Sequence, residues 1–210
     1  MGRILYVKGS PRGERSHSLA VADRFLEAYA RRDPAAEVAV HDLAAMRLPA
    51  LDAATLEAKY AIMHGSAPSA DAQRLWRGVE SLIGEFLAAE KYVFAVPMWN
   101  FGIPYALKHY LDVVIQPGYT FSFSPEKGYA GLAGGRPAFI SYASGGEYEP
   151  GTGGEALDHC RSYMKLALSF IGITDVRHVA VEPTMQRGED EAARRRDAAI
   201  ERALAMADGF

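Results

Sequence analysis

The chain has 210 residues, of which 49% are apolar, and a formal net charge of -3 at pH 7. This length suits one α/β domain with a buried core, so we expect residues 1–210 to form a single domain. The small negative charge provides no general attraction for nucleic acid or for an anionic membrane surface. Cys160 is the only cysteine, which excludes an internal disulfide and a cysteine-rich zinc site.

The amino terminus leads almost directly into an apolar, strand-like run, without the charged region and separate apolar region of a secretory signal. No apolar run reaches the length needed to span a bilayer. Together with the single cysteine, these features predict a soluble cytoplasmic protein that binds neither membranes nor nucleic acids.

Apolar runs of strand length alternate along the chain with segments that have the 3.6-residue period of amphipathic helices. The predicted strands cover residues 3–8, 38–40, 92–96, 138–140 and 176–181. This alternation is typical of a parallel sheet covered by helices on both faces, and right-handed connections favour a doubly wound, flavodoxin-like or Rossmann-like sheet. Two connections, residues 43–71 and 116–136, have the unusual length of lids, binding loops or interfaces.

The loop after the first strand, residues 9–18, has the composition of an anion site. Two glycines and the hydroxyls of Ser10, Ser16 and Ser18 precede or begin a predicted helix. Unpaired backbone N–H groups and the helix dipole favour a phosphate at such a position. The loop has neither the spacing of a P-loop nor the dinucleotide-binding G-x-G-x-x-G pattern. The alternative is that Ser16 or Ser18 serves only as the helix N-cap.

The loop after the third strand, residues 97–104, has the sequence Pro-Met-Trp-Asn-Phe-Gly-Ile-Pro. Prolines stiffen it, and Met98, Trp99 and Phe101 offer polarisable or flat apolar surface around the amide of Asn100. Residues 105–115 are predicted to form the following helix. Because open α/β sheets bind ligands at the carboxyl ends of their strands, this loop favours a planar ligand. The alternative is that Trp99 only caps the protein surface.

The fourth strand is followed by small residues, Ala143, Ser144, Gly145 and Gly146, whose backbone a ligand can approach closely. In a flavodoxin-like sheet of order 2-1-3-4-5, FMN binds at the switch point between the first and third strands. The serine-rich loop then suits the ribityl phosphate, and the aromatic loop suits the isoalloxazine ring. Taken alone, residues 144–146 are more typical of an ordinary turn than of a binding site. The three loops together predict an FMN site.

Several of these motifs resemble those of the FMN-dependent NADH azoreductases, which are flavin-dependent quinone reductases of flavodoxin-like fold. The similar stretches are residues 8–10, 16–18, 97–101, 107–108, Phe121 and 170–175. The Pro-Met-Trp-Asn-Phe stretch, followed by a helix, is the most specific of them. The resemblance covers nearly the whole chain and implies a flavodoxin-like three-layer sandwich with a five-stranded parallel sheet of order 2-1-3-4-5.

The resemblance also implies a set of cofactor-binding residues and a homodimer with one FMN per subunit and sites formed across the interface. The implied phosphate-binding residues are Ser10, Ser16, His17 and Ser18, the implied ring-binding residues are Pro97, Met98, Trp99, Asn100 and Phe101, and the third FMN loop comprises Ala143, Ser144, Gly145 and Gly146. The family often has Ser-Arg-Gly-Gly in the third loop, where this chain has Ala-Ser-Gly-Gly. The two glycines preserve the expected backbone contacts.

The implied function is the transfer of two electrons, by a ping-pong mechanism, from NADH or NADPH to quinones and aromatic azo compounds. The flavin performs the redox chemistry, so no side chain is expected to be a catalytic acid, a nucleophile or a metal ligand. Two other functions stay open: a flavodoxin-type electron carrier without a nicotinamide reaction, and an FMN-free binding or regulatory domain. A carrier of this type docks through strong acidic charge, which a net charge of -3 does not supply.

The other potentially reactive side chains do not form a specific functional motif. Asp112 with His109 or His159 has the residue types of a hydrolase triad, but the chain contains no G-x-S-x-G motif. Cys160 has the helical spacing of a core residue. The basic run at residues 194–196 is typical of a solvated helix face.

Overall fold

The computed structural model describes residues 2–210. Five parallel strands form the central sheet: β1 (Arg3–Lys8), β2 (Glu37–Asp42), β3 (Lys91–Pro97), β6 (Ala138–Ala143) and β7 (Val176–Val181). Their spatial order is β2-β1-β3-β6-β7. The two remaining strands, β4 (Phe121–Ser124) and β5 (Gly128–Gly131), form a separate antiparallel hairpin. Without this hairpin the sheet order is 2-1-3-4-5, which confirms the predicted flavodoxin-like topology.

Helices cover both faces of this sheet, as expected for strands that are buried on both sides. They are α1 (His17–Arg32), α2 (Ala53–Met63), α3 (Ala70–Leu87), α4 (Tyr105–Val114), α5 (His159–Phe170) and α6 (Glu189–Ala207). Along residues 2–210, none of the helices is long and apolar enough to cross a membrane.

Two clusters of buried residues form the core, one on each face of the sheet. On one face, α1 and α6 pack against the sheet, where the rings of Phe25 and Phe139 stack with their centroids 3.9 Å apart. On the other face, α3, α4 and α5 pack around Phe86, Tyr92 and Tyr110. Successive residues of β3 alternate between the clusters, with Val93 facing α1 and α6 and its neighbours facing the opposite layer. The three layers hold the carboxyl ends of neighbouring strands at one edge.

The two long connections contain regular structure that the sequence pattern did not predict. Residues 43–71 include α2, a helix that packs on α3 and buries only Thr55 and Ala58 of its own residues. Its apolar residues are spread around the helix, so the sequence lacks the amphipathic pattern from which a helix is predicted. Residues 116–136 include the β4–β5 hairpin, whose strands have only four residues each.

A long-range contact fixes the position of the hairpin. The ring of Phe121 lies 4.7 Å from that of Phe170, at the end of α5. A Cβ atom on Gly131 would collide with the backbone of Ile171 and Gly172. The close approach therefore requires glycine at the end of β5.

Candidate functional site

The loop between β1 and α1 provides the polar side of the site. Ser10, Ser16 and Ser18 are all buried, with at most 4% of their surface exposed. Ser16 is the N-cap of α1, where its Oγ accepts a hydrogen bond from the Leu19 N–H at 3.3 Å. The Oγ atoms of Ser16 and Ser18 are 3.2 Å apart. Ser16 therefore serves as the N-cap of α1. The hydroxyl of Ser18 lies at the same helix end.

Basic side chains surround this helix end. A cavity of about 560 Å³ is lined by Arg12, Arg15, Ser16, His17 and Arg196, together with acidic residues at positions 14 and 189. Burial lowers the pKa of the His17 imidazole, and the positive charges of Arg196 and Arg12 nearby lower it further. An anion at the start of α1 would meet the helix dipole and these guanidinium groups.

The basic run at residues 194–196 was predicted to lie on a solvated helix face, and its side chains are 38–70% exposed. Arg194 and Arg195 bond to Glu191 on the exposed side of α6. Arg196, one residue further, lines the cavity. The charge run alone could not distinguish the three residues because their orientation depends on how α6 packs against α1.

The first loop is held against the neighbouring strand β3. The Gly9 N–H donates to the Ala95 carbonyl at 2.9 Å, and a Cβ atom on Gly9 would lie only 2.8 Å from that oxygen. A side chain at position 9 would therefore push the two strand ends apart. Glycine at this position keeps the serine-rich loop next to the loop that follows β3.

The loop after β3 forms a tight turn with strained backbone. Trp99 and Gly102 exchange two backbone hydrogen bonds of 2.9 and 3.0 Å. The φ angles of Asn100 and Phe101 between them are +49° and +69°. Positive φ at both central positions is the signature of a type I′ turn, which Asn tolerates and Phe rarely adopts. Strained backbone of this kind is frequent at functional sites.

The same turn exposes flat apolar surface. Trp99 is 38% exposed and Phe101 is 46% exposed, while Met98 is half-buried against the core. Pro97, predicted as the first loop residue, is the last residue of β3 and lies opposite Ala143 of β6. The predicted helix over residues 105–115 is confirmed as α4.

The third loop lies beside the second. The Met98 N–H donates to the Ala143 carbonyl at 2.8 Å. Ser144 is buried, and its carbonyl accepts hydrogen bonds from the N–H and hydroxyl of Thr184, both at 2.9 Å. The Gly145 carbonyl accepts the Met185 N–H at 3.2 Å. Residues 143–146 are therefore attached to the loop after β7.

A buried carboxylate braces this third loop. Glu182 is 5% exposed, and its Oε2 accepts from the Ser144 hydroxyl at 2.8 Å and from Arg161 Nη2 at 2.5 Å. Its Oε1 accepts the Tyr148 N–H at 3.2 Å. We call Glu182 with these three partners the Glu182 brace. Sequence reasoning missed it because no local motif links residues that lie 21 and 38 positions apart.

The structure does not assemble the other reactive groups. His109 Nε2 donates to the Pro49 carbonyl at 2.9 Å, and Asp112 pairs with Lys108 at 2.5 Å, so neither belongs to a triad. Burial raises the pKa of the Cys160 thiol to about 12, which makes this cysteine unreactive. Within residues 2–210, no three His, Cys, Asp or Glu side chains cluster closely enough to hold a metal ion.

Comparison with known proteins agrees with this architecture. A family model described as "Flavodoxin-like fold" matches residues 2–206. The FMN-dependent NADH:quinone oxidoreductase of Nitratidesulfovibrio vulgaris strain DP4 is 46% identical over 210 residues, which cover 100% of both chains. The enzyme of the same name from Desulfotalea psychrophila is 42% identical over 93% of this chain and 91% of its own.

Solved structures give the same result. The azoreductase from Bacillus anthracis strain Sterne matches with a TM-score of 0.91 and 28% identity, over 100% of both chains. The FMN-dependent NADH-azoreductase from Bacillus anthracis strain Ames Ancestor, solved in complex with FMN, has a TM-score of 0.89 and 25% identity, over 99% of this chain and 98% of that one. The chain therefore belongs to the flavodoxin-like family, with FMN-dependent NADH:quinone oxidoreductases among its relatives.

Proposed function

We propose that this protein is an FMN-dependent oxidoreductase that transfers two electrons from NADH or NADPH to quinones and aromatic azo compounds. The observation that carries the proposal is the meeting of a serine-rich anion cradle and a strained aromatic turn at adjacent strand ends. The full-length identity of 46% to an FMN-dependent NADH:quinone oxidoreductase supports the same activity.

The residues of the three loops fit FMN. The cradle at the start of α1 offers hydroxyls, backbone N–H groups and guanidinium charge for a phosphate. The turn after β3 offers a flat apolar surface for the ring, and Gly145 after β6 is partly exposed, so its backbone is accessible. The proposed FMN-binding residues are Ser10, Ser16, His17, Ser18, Pro97, Met98, Trp99, Asn100, Phe101, Ala143, Ser144, Gly145 and Gly146.

The protein's own part in the reaction is to bind, orient and shield. When bound, FMN supplies the chemistry of accepting a hydride and of passing two electrons to an acceptor. The backbone N–H group of Gly145 would stabilise negative charge on the reduced ring because it is a fixed donor in a partly sheltered position. The exposed faces of Trp99 and Phe101 would hold flat substrates and exclude water.

We infer a ping-pong order of binding because one flat cleft serves both substrates. NADH or NADPH binds first and leaves as the oxidised nicotinamide, and the acceptor then occupies the same cleft. We further propose that residues 1–210 form one FMN-binding domain, that it acts as a homodimer with sites at the interface, and that it works in the cytoplasm. Exposed aromatic side chains beside the cleft support the dimer, and the lone buried Cys160 suits a reducing compartment.

The test is a spectroscopic titration of the purified protein. After loading with FMN and removal of unbound cofactor, we expect a yellow protein whose flavin absorbance is bleached by NADH without oxygen and restored by benzoquinone. Steady-state rates at several fixed quinone concentrations should give parallel double-reciprocal lines. The control is the same concentration of FMN without protein.

Three other outcomes would each contradict a part of the proposal. A yellow protein that NADH does not bleach would be an electron carrier. A protein that takes up no FMN would be a binding or regulatory domain. Intersecting double-reciprocal lines would reject the ping-pong order and leave the activity itself intact.

A further inference from the structure

Helix α6 has one charged residue on the face that packs against the rest of the protein. The buried residues of this helix are all alanines and recur at helical spacing: Ala192, Ala199, Ala203 and Ala207. Arg196 lies four residues after Ala192 and three before Ala199, so it belongs to the same face. The small side chains let α6 pack closely against α1 and the sheet. A long cationic side chain departs from this pattern, and such departures are expected at functional sites.

The three arginines of the basic run differ in their partners. Arg194 and Arg195 each donate to Glu191 at 2.7 Å. The Arg196 guanidinium meets the carboxylate of Asp197, but both nitrogen–oxygen distances are 3.4 Å, which is long for a charge-assisted hydrogen bond. An anion that binds Arg196 therefore has no strong ion pair to displace.

Arg196 lies at the amino terminus of α1. It lines the same cavity of about 560 Å³ as Ser16, the N-cap of α1, and His17, the first residue of that helix. Burial has the largest effect in lowering the pKa of His17, and the charge of Arg196 lowers it more than the charge of Arg12 does. Of these two arginines, the one on α6 thus has the stronger electrostatic influence on the start of α1.

The cavity adjoins the third proposed FMN loop. Its lining includes Thr184 and Met185, from the loop after β7. The N–H and the hydroxyl of Thr184 both donate to the Ser144 carbonyl at 2.9 Å. A Cβ atom on Gly145 would lie 3.1 Å from Met185 Sδ. The cavity is therefore continuous with the proposed cofactor site.

The charges of the cavity favour an anion beside Arg196. Three arginines and two glutamates line it, which leaves a formal excess of one positive charge when His17 is neutral. The dipole of α1 and the free N–H groups of its first turn add to the positive potential. A guanidinium group suits a phosphate in particular, because it offers two parallel N–H donors in a rigid plane.

We propose that Arg196 binds the phosphate group of FMN, so that α6 forms a fourth side of the cofactor site. This inference rests on the proposed function. The phosphate lies between the start of α1 and Arg196 and accepts charge-assisted hydrogen bonds from the guanidinium group. Riboflavin has the same ring and ribityl chain without the phosphate, so Arg196 makes the site selective for FMN over riboflavin.

The test measures flavin binding to the full-length protein, without turnover. Arg196→Ala should weaken FMN binding about tenfold, as loss of a hydrogen bond to a charged group does. Arg196→Lys keeps the charge without the two parallel donors and should weaken FMN binding less. Neither substitution should weaken the binding of riboflavin. Titrations followed by flavin fluorescence measure the affinity for both ligands.

Arg194→Ala is the matched control, because Arg194 belongs to the same basic run and pairs with Glu191. This variant should bind FMN like the unmodified chain. At saturating FMN, the phosphorus NMR signal of the bound cofactor should shift in Arg196→Ala and stay in place in Arg194→Ala. The melting temperature without cofactor should not fall in Arg196→Ala, since alanine favours the helix.

The assignment of Arg196 is overturned if Arg196→Ala binds FMN as tightly as Arg194→Ala, or if both variants give the same phosphorus signal. It is equally overturned if Arg196→Ala weakens FMN and riboflavin binding by the same factor, because Arg196 would then act through the fold. A chain that takes up no FMN would overturn this assignment and the proposed function together. FMN that depends on Arg196 for binding but is not reduced by NADH would reject the proposed activity alone.

Discussion

Asn100 and Phe101 occupy the centre of the turn after β3 with φ angles of +49° and +69°. An L-residue in this region is disfavoured by about 1 kcal/mol or more, with Asn the mildest case after glycine. The chain has no glycine at either position, although the usual two-residue type I′ turn has one at the second. The strain is therefore offset elsewhere, by the paired backbone hydrogen bonds of Trp99 and Gly102 and by the packing of Met98.

Replacing Asn100 by alanine tests whether this backbone shape holds the cofactor. Asn100→Ala should add about 1 kcal/mol of strain to the turn and so weaken FMN affinity about fivefold, because other loop conformations become populated. The rate per bound flavin should change little, since we propose no role in proton transfer for the side chains of this turn. Fluorescence titration with FMN measures the affinity, and single-turnover reduction by NADH measures the rate.

Asn100→Gly is the matched control, because glycine adopts positive φ without strain. It should retain FMN nearly as well as the unmodified chain. If the glycine and alanine variants lose FMN equally, the Asn100 amide itself contacts the cofactor and the backbone explanation is wrong.

At the scale of elements, the third loop owes its position to the Glu182 brace. The Glu182 and Arg161 side chains are only 4% and 19% exposed, so their charges interact with little screening by solvent. Removing one member of a buried pair leaves the other without compensation, which is more costly than losing a surface pair. The brace therefore connects β7 and α5 to the proposed flavin loop.

Glu182→Gln keeps the size of the side chain and removes its charge. We expect the free energy of unfolding to fall by about 2 kcal/mol, because Arg161 then loses its hydrogen-bonded carboxylate and keeps only its weaker interactions with Asp158 and Glu149. FMN affinity should also fall, since Ser144 loses a charged hydrogen-bond acceptor. Urea unfolding and FMN titration measure the two effects.

Glu147→Gln is the control on the same loop. Glu147 pairs with the half-exposed Arg187 at 2.8 Å, a surface interaction worth at most about 1 kcal/mol. Its loss should leave both FMN affinity and stability nearly unchanged. Equal effects of the two substitutions would mean that the Glu182 brace has no special part in holding the loop.

Comparison of the predicted with the observed elements shows which parts of the fold the sequence pattern can predict. Residues 176–181 and the helix from Tyr105 were predicted almost to the residue, because long apolar periods are local signals. The hairpin within residues 116–136 was not predicted, since its fit depends on Gly131 meeting the backbone near residue 171. The same is true of the site: the three loops follow from their composition and strand position, whereas the positive φ of Phe101 and the Glu182 brace arise from tertiary contacts.

For the whole molecule, the surface distribution of large apolar side chains is uneven. Tyr60 and Met63 of α2, Tyr105 at the start of α4, and Phe123 and Tyr129 of the hairpin are each more than half exposed. Scattered exposed apolar residues, such as Leu166 and Met185 in this chain, are normal, but these five belong to the two long connections and to the region beside the aromatic turn. This concentration supports the proposed homodimer and makes the hairpin a suitable element to test.

Phe123→Asp should separate the subunits. Phe123 is 61% exposed within one chain, so an aspartate is solvated in the monomer, whereas in a dimer it would be an uncompensated buried charge. A penalty of about 3 kcal/mol weakens association more than about 100-fold, and analytical ultracentrifugation should then detect monomers. FMN bound per chain should fall with dimer content if the sites lie across the interface. Leu166→Asp, at a similarly exposed position (66%) on α5, should stay dimeric.

Two outcomes would show that the hairpin surface does not join two copies of this chain. One is that the unmodified protein is a monomer, and the other is that the Phe123→Asp variant stays dimeric.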